Sequence, residues 1–196
     1  NFFDPEGSYH SALPSLTLTA EKTLGAYDVI FSNATTRLPP TTLGSTKVPL
    51  SRIRIVGGSH KFYGALAEST TDLAVQIGGN TSCEYEFIAS DKATVTMAGE
   101  FRFALNKRAM LRVENGSTMD LGTGSQRYFG NSDSTPWIFS VDHATIKSSG
   151  EWSFNGFVNR SNRGVIAMTN AVVLSTGSGK MKYSGDLDAE FVNCAY

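Results

Sequence analysis

The chain has 196 residues, of which 40% are hydrophobic and 18% charged, and its formal net charge is −1 at pH 7. These values indicate a globular chain rather than a disordered one, with no basic excess for nucleic acid or for a membrane surface. No apolar run approaches the roughly 18 residues of a membrane-spanning helix, so we expect no membrane insertion. The lack of a basic excess leads us to expect no nucleic-acid binding.

Residues 1–50 give an irregular pattern. Residues 15–20 alternate briefly and residues 27–32 resemble a buried strand, whereas Pro, Thr and Gly predict a loop or linker over residues 33–49. The start reads as a cut or processed end, so we expect a fragment of a longer chain. We therefore separate an irregular, β-containing N-terminal segment, 1–50, from a repetitive β domain, 51–196.

Strict apolar–polar alternation begins at Ser51, where Ile53 and Ile55 alternate with Arg52 and Arg54. Alternation with period two is typical of strands that have one buried face, whereas residues 1–50 show no helical period over three turns. The apolar residues that this pattern places in the core are Ile53, Ile55, Leu73, Val75, Ile77, Cys83, Tyr85, Phe87, Ala93, Val95, Met97, Phe101, Phe103, Leu105, Ala109, Leu111, Val113, Met119, Leu121, Ala144, Ile146, Trp152, Phe154, Ala171, Val173, Met181, Tyr183, Leu187, Ala189 and Phe191.

A repeated motif is superimposed on this alternation. An Ala opens a short strand, a glycine turn follows, and a second strand carries large apolar residues. Four copies begin at Ala93, Ala109, Ala144 and Ala171, so by subtraction of these numbers their spacings are 16, 35 and 27 residues. Unequal spacing predicts insertions at the corners of the scaffold, the longest at residues 122–142 and a second at residues 155–164.

Two all-β architectures fit the pattern. In a β-helix each strand–turn–strand belongs to one of a series of stacked coils, whereas in a β-sandwich or jelly roll the same pairs are antiparallel hairpins. The recurring Ala and the aromatic pairs favour stacked coils, while Asn115-Gly116 is a good hairpin turn.

Three stretches resemble a known family: KATVTMAGEFRFA (92–104), HATIKSSGEWSFNG (143–156) and NAVVLSTGSGKMKYSG (170–185). They are similar to the coils of bacteriophage tailspikes and tail fibres with β-helical shafts, over roughly residues 51–196. The resemblance implies a homotrimer on the virion, outside the cell, that binds bacterial surface polysaccharide. Many members also cleave that polysaccharide. An adhesin or a capsid-type β-sandwich is the alternative without a phage link.

The sequence assigns no catalytic residue, metal or cofactor. His10, His60 and His143 lack zinc spacing, and the acidic cluster at residues 186–190 suits the solvated face of a terminal strand. Glycoside cleavage needs two carboxyl groups across a sugar. The outward acids available are Glu84, Glu86, Glu100, Asp120 and Glu151. Because the sequence does not set the strand register, whether the chain is a depolymerase stays open.

A carbohydrate site needs aromatic faces together with amide, carboxylate or guanidinium groups. Arg127, Tyr128, Asp133 and Trp137 provide these groups within the predicted insertion at residues 122–142, and we predict a carbohydrate site there. Trp137 has the alternative role of fixing the insertion onto the scaffold. Whether Cys83 and Cys194 form a disulfide stays open.

Overall fold

The structure is a computed structural model. It describes residues 16–18, 27–32, 35–38, 41–43, 50–62, 73–77, 84–98, 100–103, 109–122, 127–129, 137–155, 164–177, 181–184 and 187–196. Within these ranges the chain forms β-strands and turns and no helix.

Twenty strands occur in the described residues. In chain order they are β1 (Leu16–Leu18), β2 (Tyr27–Ser32), β3 (Thr35–Leu38), β4 (Thr41–Leu43), β5 (Leu50–Val56), β6 (Ser59–Phe62), β7 (Leu73–Ile77), β8 (Glu84–Ser90), β9 (Thr94–Met97), β10 (Glu100–Phe103), β11 (Ala109–Glu114), β12 (Thr118–Asp120), β13 (Arg127–Phe129), β14 (Trp137–Asp142), β15 (Thr145–Ser148), β16 (Trp152–Asn155), β17 (Gly164–Thr169), β18 (Val172–Ser175), β19 (Met181–Ser184) and β20 (Leu187–Val192).

The strands form three sheets, and consecutive strands always lie in different sheets. Sheet A has the order β1-β4-β7-β10-β13-β16-β19, sheet B the order β2-β5-β8-β11-β14-β17-β20, and sheet C the order β3-β6-β9-β12-β15-β18. Each strand therefore pairs with the strands three places before and after it, and every described pairing is parallel. The prediction of an all-β protein is confirmed, with parallel sheets.

The turn at Asn115-Gly116, whose sequence suits a hairpin, does not form one. Both residues have positive φ, 55° and 77°, as the turn chemistry requires. The turn, however, leads from β11 in sheet B to β12 in sheet C, and these two strands pair with other strands rather than with each other. The turn is a corner between sheets, which a two-residue sequence signal does not distinguish from a hairpin.

The core consists of apolar columns that run from strand to strand in register. In sheet B, Phe87, Leu111, Phe139 and Ile166 occupy matching positions on β8, β11, β14 and β17, and all four are fully buried. Trp152 on β16 meets the Phe139 ring edge-on, at 6.4 Å between centroids and 87° between planes. The prediction that Trp152 belongs to the core is confirmed. Alternation identifies core residues because each sheet has one face directed inward.

The four predicted copies of the repeat are not equivalent. Ala93, Ala144 and Ala171 each precede a strand of sheet C, whereas Ala109 opens β11 in sheet B. The missing member is Ser117, whose carbonyl accepts a hydrogen bond from Thr145 N (2.9 Å), just as Ala144 O accepts from Val172 N (3.0 Å). With Ser117 in place of Ala109 the spacings, by subtraction, become 24, 27 and 27 residues, so the repeat is more regular than predicted.

Two predicted irregular regions contain strands. The loop expected at residues 33–49 includes β3 and β4, and the sheets continue across the predicted boundary at residue 50, since β2 pairs with β5 and β3 with β6. The insertion expected at residues 122–142 includes β13 of sheet A and β14 of sheet B. Strands β3, β4 and β13 have only three or four residues each, too few to show a clear alternation, yet they occupy regular places in the sheets.

Strand β20 is the last strand of sheet B. Ala189 and Phe191 continue the core columns of Ile166 and Met168, but they are exposed because no further described strand of sheet B lies beyond them. Asp188 and Glu190 lie at the alternate positions and are also exposed.

Candidate functional site

Trp137 does not lie on the surface, and its place in the predicted carbohydrate site is corrected. It is the first residue of β14 and has 0% of its surface exposed. It opens the alternation that also buries Phe139 and Val141, so its ring belongs to the inward face of sheet B. A ring that is enclosed on all sides offers no face to a sugar. Trp137 therefore has the alternative role, which is to fix this segment onto the scaffold.

The other three predicted site residues fall in different places. Tyr128 on β13 occupies the same column as Arg102 and Ser153, which continues to the exposed Lys182. Arg127 is the register partner of Phe101 and so belongs to a different column. Asp133 lies outside the described residues. The structure therefore gives register positions for two of the predicted residues and does not bring them into one column.

The outward face of sheet C carries two polar columns that sequence reasoning missed. The first contains Ser59, Thr94, Thr118 and Thr145 at matching positions on successive strands. Neighbouring parallel strands lie about 4.8 Å apart, so this column presents hydroxyl groups at a regular spacing.

The second column of sheet C contains Thr96, Asp120, Lys147 and Leu174. Asp120 and Lys147 are register partners on β12 and β15, so a carboxylate and an ammonium group stand one strand apart. They are also 27 residues apart by subtraction, as Thr118 and Thr145 are, so a comparison of the sequence with itself at that period would have found the pair.

A depression opens at the end of this second column, and we call it the sheet C depression. Its volume is about 240 Å³. Its lining residues are Asp120, Lys147, Ser148, Ser149, Leu174 and Thr176. Carboxylate, ammonium and hydroxyl groups surround the exposed side of Leu174, a mixture that can bond sugar hydroxyls and contact an apolar sugar face.

Local hydrogen bonds fix the walls of the sheet C depression. Asp120 Oδ1 accepts a hydrogen bond from the Gly122 backbone N–H at 2.8 Å. The buried Ser148 hydroxyl donates to Gly150 O at 2.7 Å, and Thr176 N donates to Ser148 O at 3.0 Å. The Asp120 carboxylate is therefore oriented by the turn that follows β12.

A second polar feature follows the corner between sheets B and C. His143 Nδ1 lies 2.7 Å from Asp142 Oδ1, and Asn170 Nδ2 lies 3.0 Å from His143 Nε2. Asn193 Nδ2 then donates to Asn170 Oδ1 at 3.3 Å. We call these four residues the corner ladder. Asp142, His143 and Asn193 are exposed and Asn170 is partly buried, and His143, Asn170 and Asn193 have positive φ of 49°, 49° and 52°.

The strand register shows which acidic residues are neighbours. Glu86 pairs with Arg52, and Glu151 with Lys182 at 2.7 Å, so these two predicted acids lie in surface ion pairs. Glu114 is the register partner of Asp142, a neighbour pair that the sequence did not reveal.

Both members of that acid pair already have partners. Glu114 Oε2 accepts from the Arg112 guanidinium at 2.7 Å, while Asp142 faces His143. Surface contacts of this kind contribute little to stability, about 0–1 kcal/mol each.

His60 is a titratable side chain that is fully buried, whereas the other buried polar side chains of the described residues are serines. Its Nε2 lies 2.9 Å from Gly57 O, so the neutral ring donates Nε2–H to that carbonyl. Burial lowers the pKa of His60 below its usual 6.5, and the bond to Gly57 opposes part of that shift. The residue lies in the core column of Val95 and serves the scaffold rather than a surface site.

No group of three or more His, Cys, Asp or Glu side chains among the described residues is arranged to hold a metal ion. Cys194 carries a free thiol, which donates to Met168 O at 3.3 Å, and Cys83 lies outside the described residues. No helix within the described part of the chain has the length and apolar character of a membrane span.

Comparison with protein-family models, with curated proteins and with solved structures found no significant match to this chain.

Proposed function

We propose that the chain is a parallel β-helical segment of a bacteriophage tail spike or tail fibre, which assembles as a homotrimer on the virion and binds host surface polysaccharide. The observation that carries the proposal is the pairing of every strand with the third strand before and after it. The chain visits sheets A, B and C in turn, and after every three strands it has advanced by one strand in each sheet. This is the strand order of a β-helix. The alternation of single-faced strands agrees with this architecture.

The polysaccharide-binding part of the proposal is supported by the outward surface. Sheet C presents a column of hydroxyl groups beside Asp120 and Lys147, and the corner ladder adds amide and imidazole groups. Sugars are bound by groups of these kinds, and the rigid strands hold them at fixed spacing. Tyr128 remains a proposed contact on sheet A, in the column that continues to Lys182, whereas Arg127 is its neighbour on the strand and so belongs to the opposite face. Changing Tyr128 to Ala is expected to weaken glycan binding without lowering the thermal midpoint.

The proposal is tested by measuring mass and binding on the same sample. Light scattering is expected to give three times the chain mass, and purified capsule or lipopolysaccharide from the host is expected to bind without chemical change. A monomer would contradict the trimeric appendage, and a sample that binds none of a panel of bacterial polysaccharides would contradict the function.

Cleavage of the polysaccharide is the second candidate. It is favoured by the adjacency of Glu114 and Asp142, since a glycosidase places two carboxyl groups close together, about 5 Å apart in retaining enzymes. Glu114 contacts Arg112 and Asp142 contacts His143, and these contacts argue against the two carboxyl groups serving as a catalytic acid and base. New reducing ends that disappear in both Glu114→Gln and Asp142→Asn would establish the enzyme, and binding without product would eliminate it.

A further inference from the structure

We propose that the sheet C depression binds one carboxylate-bearing sugar unit through the ammonium group of Lys147. This inference rests on the proposed polysaccharide binding and adds a site and a class of sugar. The volume of the sheet C depression, about 240 Å³, is below the range of about 300–1,000 Å³ for pockets that hold drug-sized ligands. A single ring therefore suits the depression better than an extended oligosaccharide.

The depression carries one positive and one negative side chain, Lys147 and Asp120. Although Lys147 is the register partner of Asp120, its ammonium group forms no ion pair with that carboxylate, and no other side-chain partner of it is found in the described part of the chain. By contrast, Lys182 on sheet A is paired with Glu151 at 2.7 Å. The ammonium group of Lys147 is thus exposed at a concave surface and available to an anionic ligand.

The remaining walls suit a sugar rather than a bare anion. Asp120 has one oxygen held by Gly122 N–H, and its other oxygen can accept a hydrogen bond from a sugar hydroxyl. Leu174 is 43% exposed and gives an aliphatic surface beside Lys147, while Thr176 adds a hydroxyl group. An inorganic anion can use the lysine and the Thr176 hydroxyl, whereas a sugar acid can also donate a hydroxyl hydrogen bond to Asp120 and place an apolar face against Leu174.

The test compares acidic with neutral sugars on the intact chain. A panel of purified bacterial oligosaccharides is screened, and glucuronate, galacturonate and N-acetylneuraminate are titrated together with their methyl esters and followed by saturation-transfer NMR. We expect the bound members of the panel to contain a carboxylate-bearing sugar. At least one free sugar acid is expected to bind more tightly than its ester, and its affinity to fall as salt is added.

Lys147→Met keeps the aliphatic stem and removes the charge. It is expected to weaken binding of the acid about three- to fivefold, the size of an exposed ion pair, and to leave the ester unchanged. Asp120→Ala removes the acceptor and is expected to weaken binding of the ester, which gains nothing from the loss of the negative charge. Lys182→Met is the matched control on sheet A and is expected to change neither, with the mass by light scattering unchanged in all three variants.

The outcomes separate the site from the function. If the panel contains bound polysaccharides but Lys147→Met behaves like Lys182→Met, polysaccharide binding stands and this site is wrong. If ester and acid bind equally, or the bound members are all neutral, the class of sugar is wrong. If nothing in the panel binds, the proposed function fails together with the site.

Discussion

Gly164 packs its backbone against the indole ring of Trp137. A Cβ atom at Gly164 would overlap ring carbons Cε2 and Cζ2 and would lie 2.7 Å from Nε1. The column at this position of sheet B alternates large and small residues: Tyr85 pairs with Ala109, Ala109 with Trp137, and Gly164 with Leu187. The indole fits because Gly164 has no side chain to occupy the space of its ring.

Gly164→Ala should therefore destabilise the protein. The added methyl group must displace a fully buried ring, and overpacking of this kind typically costs about 1–3 kcal/mol in the free energy of unfolding. Denaturant unfolding of the variant measures it. Ala167→Val adds volume to the half-exposed outward position of the same strand, β17, and should cost less than about 0.5 kcal/mol.

A double-mutant cycle assigns the cost to the indole. In a Trp137→Leu background the Gly164→Ala change should be less harmful, because the colliding ring is gone. Equal costs in the two backgrounds would show that the strain comes from the backbone of β17 instead.

The burial of His60 should make the free energy of unfolding fall on acidification. Its folded pKa is lowered by burial, so below pH 6.5 the unfolded state binds more protons than the folded state. The free energy of unfolding should then rise with pH between the folded pKa and about 6.5, and this contribution is lost as the pH falls through that window. The slope from this one group is at most about 1.4 kcal/mol per pH unit.

The measurement is unfolding by urea from pH 7.5 to pH 4.5, with His60→Gln as the comparison. The glutamine amide retains a donor for Gly57 O but does not titrate, so the difference between the two stability curves should shrink on acidification. Parallel curves across this range would contradict a titrating His60.

Asn170 has two roles in the corner ladder, and they can be separated. Its amide contacts His143 and accepts from Asn193, and its φ of 49° suits Asn far better than Ala. Asn170→Ala loses both advantages and should cost about 1–2 kcal/mol. Asn170→Gly removes the amide but tolerates the φ, so thermal unfolding should show a smaller loss; an equal loss would place the whole effect in the side-chain contacts.

Two phenylalanines on sheet B should respond differently to truncation. Phe139 is fully buried in the middle of the sheet, whereas Phe191 is 46% exposed on the last strand. Phe139→Ala should cost about 3–5 kcal/mol in the free energy of unfolding, as large core truncations do. Phe191→Ala should cost less than half as much by the same denaturant assay, and comparable costs would mean that another surface covers Phe191 in solution.

Much of the fold was predictable because the period of two reports directly on burial. Ile53, Leu111, Met119 and Trp152 were all placed in the core from alternation alone, and all are fully buried. The candidate surface was much less predictable. Trp137 looked like a surface residue because it follows a polar, Gly- and Ser-rich stretch, yet it opens a strand whose first position faces inward.

The sequence by itself determined that the chain is made of single-faced strands separated by corners that need positive φ, because these properties depend on residues next to one another. Only the tertiary structure decided which strands are partners. Pairing joins residues that are, by subtraction of register partners, 23 to 35 positions apart, and local chemistry does not distinguish a corner between sheets from a hairpin. That register brings Asp120 beside Lys147, Glu114 beside Asp142 and Gly164 against Trp137, and each of these relationships is a contact between strands that the chain reaches only after passing through the other two sheets.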